Sequence, residues 1–313
     1  MRAMQVHETP NGLALNPAEV SQPTPGKSDV LIRVQSAGII ATELNWEPTT
    51  QTKTGATRSN AIPSHEFSGV IAGRGDAVND FSIGQTVYGM NDWYADGALA
   101  EFCLTQSSSI APIPLTLSCE EAATVPISAL TAWQGLFDHA QLQPKEKILI
   151  HGGSGGVGTF AVQLARRHGA QIIATTSTKN ISLVKQLGAD EVIDYKTSRF
   201  QDLVHDVDVV FDTVGGKTRE LSWSVLKPNG RMVTIVSDPP SDDPRVQKSF
   251  FIVEPIQQQL VEIGRLFDAG SLKTFVNAVF PLEDAAKAYT KPIANELGYG
   301  KTVVTIPDGG QTS

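Results

Sequence analysis

A run of glycines at residues 151–158, His-Gly-Gly-Ser-Gly-Gly-Val-Gly, is the part of the sequence best suited to holding a ligand. Three of these glycines fit the spacing G-x-G-x-x-G. That spacing allows a tight turn and a close approach of backbone to a pyrophosphate, and it opens a helix whose first N–H groups face the phosphates. We therefore predict a dinucleotide site built from Gly153, Ser154, Gly155, Gly156, Val157 and Gly158.

The choice between the two nicotinamide dinucleotides depends on the segment about 20 residues further on. NAD sites of this kind usually carry an acidic residue there to hold the ribose hydroxyls. Residues 175–179 are Thr-Thr-Ser-Thr-Lys, with hydroxyls and a cation but no acid. A 2′-phosphate would be attracted by Lys179, and the hydroxyl of Ser177 lies beside it in sequence. The segment favours NADP(H), although Lys179 could instead be a solvated lysine that begins the next helix.

Repeated strand–helix units surround the glycine run. Residues 147–151 form a short apolar strand, and apolar residues from 157 to 165 recur with the spacing of one helix face. Further strands are expected at 171–175, 191–194, 207–211 and 231–236, the last after a Pro-Asn-Gly turn, and a second helix at about 181–187. Repeated βα units require a parallel sheet with right-handed crossovers, so this region predicts a doubly wound fold.

The two ends of the chain follow a different pattern. Residues 1–120 contain short apolar segments separated by turn signals, which is typical of an all-β barrel. After residue 255 the pattern predicts a helix at 256–267, a strand at 275–280, a helix at 283–289 and a strand at 301–306. This tail is compatible with completion of the N-terminal barrel, but periodicity alone does not decide the point.

Composition narrows the class of protein. The 313 residues are 41% hydrophobic and carry a formal net charge of -8, which argues against sequence-independent binding to nucleic acid or to an anionic membrane. No apolar run approaches the roughly 20 residues of a membrane span. Two cysteines are too few for a disulfide framework. We expect a cytoplasmic protein with a small-molecule substrate.

Several short motifs, in this order along the chain, resemble those of the medium-chain dehydrogenases/reductases, and most closely the zinc-free quinone oxidoreductases and enone reductases. They are Ser-His-Glu-Phe-Ser-Gly at 64–69, Asp-Gly-Ala-Leu-Ala-Glu-Phe at 96–102, Leu-Thr-Ala-Trp at 130–133, the glycine run, Leu-Gly-Ala-Asp at 187–190, Phe-Asp-Thr-Val-Gly-Gly at 211–216 and Gly-Lys at 300–301. The resemblance implies a Rossmann doubly wound sheet inserted into a GroES-like β-barrel substrate domain. Its expected bounds are 1–120 and 259–313 for the barrel and 121–258 for the Rossmann domain.

The resemblance also bears on zinc, which many members of the family use. His65 and Glu66 match two positions of the zinc enzymes. However, isoleucine stands at Ile40 and Ile127, where those enzymes place cysteines. A catalytic zinc needs about three protein ligands. We therefore expect no metal, and we interpret His65 and Glu66 as a structural remnant or a hydrogen-bonded pair.

Family position suggests roles for further residues. It implies that Thr131, as a catalytic and cofactor-binding residue, lies near the nicotinamide, with Ser128 a weaker neighbour. By the same resemblance, Tyr195 packs beside the adenosine 2′-phosphate, Lys301 lies near the same cofactor and Val214 lines the cofactor cleft. Each has a plainer interpretation: Thr131 as a helix residue, Tyr195 as core and Lys301 as a solvated lysine.

The substrate pocket is expected to include Ile40, Trp46, Trp93 and Tyr94. The aromatic side chains could stack on a flat conjugated acceptor. Tyr94 is also a catalytic candidate, since its hydroxyl could donate a hydrogen bond or a proton to an enolate oxygen. It could equally be an exposed loop aromatic.

These observations predict a zinc-independent oxidoreductase that transfers hydride from NADPH to a quinone or an α,β-unsaturated carbonyl. Two alternatives stay open: a dedicated biosynthetic enoyl reductase, and an NADPH-binding redox sensor or structural protein without turnover. The apolar segment 249–253 predicts a sheet edge, and the family often dimerises through such edges, so we expect a homodimer.

Overall fold

The computed structural model describes residues 1–10, 12–237, 243–290 and 298–307. The chain divides into two compact units. One, here called the barrel unit, consists of residues 1–127, 255–297 and 301–313. The other, here called the nucleotide unit, consists of residues 128–254 and 298–300. Both termini therefore belong to one unit, and the second unit is made mainly of the segment between them.

Strands and helices are numbered along the whole chain, through both units. The strands in the described ranges are β1 (Arg2–Thr9), β2 (Gly12–Glu19), β3 (Asp29–Ile39), β4 (Glu66–Arg74), β5 (Thr86–Met90), β6 (Phe102–Gln106), β7 (Ile110–Pro112), β8 (Lys147–Ile150), β9 (Gln171–Thr176), β10 (Glu191–Asp194), β11 (Val207–Asp212), β12 (Leu226–Thr234), β13 (Val276–Pro281) and β14 (Lys301–Thr305). The α-helices there are α1 (Glu47–Thr50), α2 (Cys119–Ala123), α3 (Pro126–Trp133), α4 (Gly156–His168), α5 (Ile181–Gln186), α6 (Gly216–Ser222), α7 (Pro244–Ser249), α8 (Gln257–Asp268) and α9 (Ala285–Thr290). None of these helices is long and apolar enough to cross a bilayer.

The nucleotide unit contains a five-stranded parallel sheet in the order β10-β9-β8-β11-β12. Leu149 of β8 lies opposite Ile173 on one side and Val210 on the other, and all three are buried. The strand order reverses at β8, because the chain goes to β9 on one side and later to β11 on the other. Ligands of doubly wound sheets bind at the carboxyl edge of such a reversal. The glycine run follows β8 at that edge.

The barrel unit contains a seven-stranded sheet in the order β13-β14-β3-β4-β5-β7, with β6 also paired to β3, and a separate β1–β2 hairpin. The longest strand, β3, pairs with β14, β4 and β6. Its inward side chains Val30, Ile32 and Val34 are fully buried in one apolar core. The C-terminal strand β14 therefore completes the sheet that the N-terminal residues begin.

Two predictions about strands were wrong in detail. The Pro-Asn-Gly turn lies inside β12 and not before it, because residues 227–230 bulge out between the pairs Leu226–Val207 and Arg231–Val209. The expected edge strand at 249–253 is absent from that described segment: Ser249 ends α7, and Phe250 forms only an isolated parallel bridge with Thr234. The segment 48–61 contains α1 and a bridge between Gln51 and Thr57.

Candidate functional site

The glycine loop joins the buried strand β8 to helix α4. Gly152 has φ +72°, a conformation that side chains other than glycine rarely adopt. A Cβ at Gly158 would collide with the carbonyl oxygen of Gly152, so only glycine lets the helix approach the strand here. Helix α4 begins at Gly156, and its N-cap residue, Gly155, has no side chain that could cap the first N–H groups. Its first N–H groups are therefore suited to an anion such as a pyrophosphate.

Two polar side chains, one at the end of β9 and one shortly after it, hold the glycine loop in place. Thr176 Oγ1 donates to Ser154 Oγ over 2.8 Å. Asn180 Nδ2 donates to the same Ser154 oxygen and to the Gly298 carbonyl oxygen, each over 3.0 Å. Asn180 is buried. Sequence reasoning missed Asn180 and Gly298, since nothing in the local pattern signals a contact between residues 118 positions apart.

The proposed phosphate-binding segment lies between the loop and a neighbouring strand. Ser177 is buried and Lys179 is exposed, with the lysine side chain lying against the Cα of Gly298. The carboxylate of Asp194, at the end of β10, accepts hydrogen bonds from Thr178 Oγ1 (2.6 Å) and from the N–H of Lys196 (2.9 Å). These hydrogen bonds lower the pKa of Asp194. Residues 175–179 contain no acid, but the adjacent strand contributes this carboxylate, which the local sequence pattern does not reveal.

Two predicted cofactor contacts are exposed side chains. Tyr195 is 60% exposed, so its interpretation as a core residue was wrong, and Val214 is 52% exposed. The N–H groups of Val214 and Gly215 both donate to Asp212 Oδ1 over 3.0 Å, and Thr234 Oγ1 donates to Asp212 Oδ2 over 2.8 Å. The buried Asp212 thus fixes the loop that follows β11, a function that the sequence analysis did not assign to it.

The other predicted residues of the nucleotide unit lie on or beside its helices. Thr131 is a buried residue of α3. Ser128 Oγ lies beside Gly156, 3.2 Å from the position that a Cβ would take there. Ser128 is thus next to the first turn of α4, whereas the prediction that Thr131 contacts a nicotinamide stays a prediction.

His151, the first residue of the glycine run, is fully buried. Its Nδ1 lies 3.1 Å from Thr175 Oγ1 and its Nε2 lies 2.9 Å from Ser222 Oγ. Burial lowers the pKa of His151 to about 4, and the charge of Asp212 opposes part of this fall. The imidazole is therefore neutral near pH 7 and connects the start of the loop to β9 and α6.

The barrel unit holds a buried polar cluster, defined here as Glu43, His65, Glu66, Tyr289 and Lys301. The Lys301 ammonium contacts Glu66 Oε1. Tyr289 donates its hydroxyl hydrogen to Glu43 Oε1 over 2.6 Å. Burial lowers the pKa of Lys301 to about 7, with the charge of Glu43 acting in the opposite direction. Burial and Glu43 together raise the pKa of Tyr289 well above its ordinary value, so it stays a neutral donor.

This cluster changes two expectations. Glu66 is paired with Lys301 and not with His65, whose nearest carboxylate oxygen is Glu43 Oε2 at 3.8 Å from Nδ1. Lys301 is 8% exposed, so its interpretation as a solvated lysine was wrong. The ammonium is held within the barrel unit by Glu66, and the predicted contact of Lys301 with a cofactor stays a prediction.

The side chains that could act as metal ligands in this cluster do not fit a zinc ion. Glu66 Oε2 already accepts the N–H of Ile127 over 3.0 Å, while Oε1 is held by Lys301. Zinc is bound by about three Cys, His or carboxylate ligands that converge on one point. Over the described ranges, no group of three or more His, Cys, Asp or Glu side chains is arranged to hold a metal ion.

The aromatic residues predicted for the substrate pocket separate into two places. The rings of Trp46 and Trp93 meet edge to face, with centroids 5.5 Å apart, and Trp93 also lies 5.4 Å from the imidazole of His65. Tyr94 instead has Lys53 Nζ 5.6 Å from its ring centroid. Ile40 is half-buried and donates its N–H to Glu43 Oε1 over 3.2 Å. The structure therefore brings Trp46 and Trp93 together, beside His65, and directs Tyr94 to a different neighbour.

Comparisons with known proteins agree with this architecture. Residues 26–115 match the alcohol dehydrogenase GroES-like domain, and residues 187–304 match the family described as zinc-binding dehydrogenase. A chloroplastic quinone oxidoreductase, QR1, of Triphysaria versicolor is 32% identical, over 97% of this chain and 98% of its own. A probable zinc-binding mitochondrial oxidoreductase of Arthroderma benhamiae is 30% identical, over 91% of this chain and 92% of its own.

A solved structure shows the same fold along almost the whole chain. The quinone oxidoreductase of Coxiella burnetii superposes with a TM-score of 0.87 at 26% identity, covering 98% of this chain and 99% of its own. The chain belongs to the medium-chain dehydrogenase/reductase family of nicotinamide-dependent oxidoreductases, within its quinone oxidoreductase group.

Proposed function

We propose that this protein is a zinc-independent, NADPH-dependent reductase of quinones or α,β-unsaturated carbonyls. The observation that carries the proposal is that the chain contains both a glycine loop suited to pyrophosphate and the polar cluster. The carboxylates of that cluster are already engaged by an ammonium, a phenol and backbone N–H groups. The nucleotide unit supplies the cofactor site, and the barrel unit lacks a ligand set for zinc among its described residues.

The preference for NADPH is supported by the segment after β9. Ser177 and Lys179 offer a hydroxyl and a cation, and the exposed ring of Tyr195 lies on the next strand connection. Asp194, at the end of the adjacent strand β10, carries a charge that opposes a 2′-phosphate. Its carboxylate is engaged by Thr178 and by the backbone at Lys196. Lys179 is an exposed cation and forms none of the ion pairs found among the described residues, so its charge favours the phosphate-bearing dinucleotide.

The substrate class is supported by the aromatic pair. Trp46 and Trp93 are both half-buried, and the face of either indole ring is a flat apolar surface on which a conjugated acceptor can stack. When bound, a reduced nicotinamide supplies the hydride to such an acceptor. The protein then has to orient the acceptor and stabilise the charge that develops on its oxygen. Thr131 and Tyr94 are our candidates for positioning the reacting groups.

The test is the loss of NADPH absorbance with purified protein against a panel of quinones and enones, repeated with NADH and after prolonged treatment with a chelator. We expect oxidation that is faster with NADPH and unchanged by the chelator. Metal-dependent turnover would overturn the zinc-independent mechanism. NADPH binding without oxidation by any acceptor would favour a sensor, and turnover confined to a specialised enone would favour a biosynthetic reductase.

A further inference from the structure

His65 differs from the rest of the polar cluster in its hydrogen bonding. It is 1% exposed, and neither ring nitrogen has a hydrogen-bond partner in the part of the chain that the structure describes. Glu43, Glu66, Tyr289 and Lys301 are all engaged by one another or by backbone N–H groups. Buried polar groups in folded proteins nearly always have partners, and a group that lacks one calls for an explanation. A bound ligand is one such partner.

The surroundings of His65 indicate the chemistry of that ligand. On one side, Glu43 Oε2 lies 3.8 Å from Nδ1, beyond hydrogen-bond distance but close enough for the carboxylate to face the ring. On the other, the imidazole is tilted by 40° against the ring of Trp93, which in turn meets Trp46. The two half-buried indoles and the buried imidazole thus form one aromatic cluster, with a ring that carries an N–H group at its buried end. A flat molecule with an oxygen at its edge has the matching shape.

Access to His65 requires Trp93 to shift, because Trp93 packs against the buried imidazole. Trp93 lies in a turn that is closed by a hydrogen bond from the N–H of Ala95 to the carbonyl oxygen of Asp92 over 3.0 Å. Asp92 is exposed and Trp93 is half-buried. The ring is therefore carried by a short surface turn and not by the core of the sheet.

We propose that His65 is a catalytic residue that donates a hydrogen bond to the carbonyl oxygen of the acceptor, with Glu43 orienting the ring. This inference rests on the proposed function and deepens it, since it names the group that stabilises negative charge on the acceptor oxygen. Such a donor acts most strongly in a site without water, where it is already aligned before the reaction. The acceptor stacks on the face of one of the two indole rings, Trp93 or Trp46.

The experiment compares His65→Leu, which removes the donor, with His65→Gln, which keeps an N–H group. His205→Leu, at an exposed histidine, is the matched control. The probe is duroquinone, and its binding to the protein without nucleotide is followed by quenching of tryptophan fluorescence. We expect His65→Leu to weaken duroquinone binding about 10-fold and to lower kcat with NADPH about 100-fold, with partial recovery in His65→Gln. NADPH affinity should be unchanged.

Stability separates this role from a structural one. If His65 binds the acceptor and does not stabilise the fold, replacing this buried imidazole by leucine should leave the Tm unchanged or raise it. A His65→Leu protein that binds and reduces duroquinone like the wild type would overturn the proposal. Should that variant not fold, ¹⁵N-histidine NMR of the wild type decides: a shift of the His65 ring resonances with duroquinone supports the contact, and no shift overturns it. Because these readouts need no turnover, they stay informative even if the wild type does not oxidise NADPH.

Discussion

Lys301 and Glu66 form a buried ion pair across 235 positions of sequence, at the point where strands β14 and β4 flank β3. Lys301 is 8% exposed and Glu66 is fully buried. The second oxygen of the carboxylate is held by the backbone of Ile127. A pair this deeply buried is favourable only while both partners are present, because either charge alone would have lost its water without gaining a counter-charge.

Removal of one partner should therefore be costly. We expect Lys301→Met to lower the free energy of unfolding by about 3–5 kcal/mol, as measured by urea denaturation. The double variant Lys301→Met/Glu66→Gln should recover part of this loss. Lys53→Met is the matched control, since Lys53 pairs with Asp92 in solvent, and it should cost less than about 1 kcal/mol. Equal losses in the two single variants would contradict the importance of burial.

His151 predicts a dependence of stability on pH. Its folded-state pKa of about 4 lies below the ordinary value of 6.5, so the unfolded chain binds more protons between these pH values. The free energy of unfolding should therefore fall as the pH drops through this window, by about 2 kcal/mol between pH 8 and pH 5 from this group alone. His151→Gln should show a shallower fall than the wild type in urea titrations at the two pH values. Parallel curves would refute the assignment.

The glycine loop predicts a contrast between two neighbouring alanine substitutions. Gly158→Ala would drive a Cβ into the Gly152 carbonyl oxygen, whereas Gly156→Ala meets only Ser128 Oγ at 3.2 Å. We expect Gly158→Ala to weaken NADPH binding at least ~100-fold and Gly156→Ala less than ~10-fold, as measured by calorimetry. Circular dichroism would establish that both variants fold. Similar affinities would show that close approach at residue 158 is not needed.

Asn180 should affect cofactor binding indirectly, because it holds the glycine loop in position. Asn180→Ala removes the donor that joins Ser154 to Gly298, so we expect the Kd for NADPH to rise roughly 5- to 10-fold. Hydrogen exchange should become faster at residues 152–156 and 298–300. Asn16→Ala, at an exposed residue of β2, serves as the control. Unaltered exchange in both segments would argue against a positioning role.

Lys179 should distinguish the two dinucleotides. We expect Lys179→Gln to raise the Kd for NADPH about 10-fold and to leave that for NADH nearly unchanged, because only NADPH carries the 2′-phosphate. Lys185→Gln, at an exposed lysine of α5, removes the same charge nearby. If both variants change NADPH binding equally, the effect is one of net charge and not of contact.

The sequence predicts local elements well and long-range contacts poorly. The strand, glycine loop and helix around Gly153 are encoded within 25 residues, and β8 and α4 lie where the periodicity predicts them. Lys301, which pairs with Glu66, and Gly298, which accepts from Asn180, each lie more than 100 positions from their partner, a separation that no local window of sequence spans. The carboxylate of Asp194 was overlooked for a related reason: it reaches Thr178 only because β10 pairs with β9.

The place of β14 in the barrel-unit sheet affects how the chain folds during synthesis. Strand β3, complete at residue 39, has β14 as one of its neighbours, and β14 ends at residue 305. The ribosome therefore synthesises more than 260 further residues before β14 can cover that edge of β3, whereas the parallel sheet from β8 to β12 is complete by residue 234. Loop closure over such a distance is slow, and an uncovered strand edge invites pairing with other chains. A nascent chain halted before residue 301 should thus contain a folded nucleotide unit and an incomplete barrel unit. The incomplete barrel unit should be prone to aggregation, and should need chaperones, until β14 emerges.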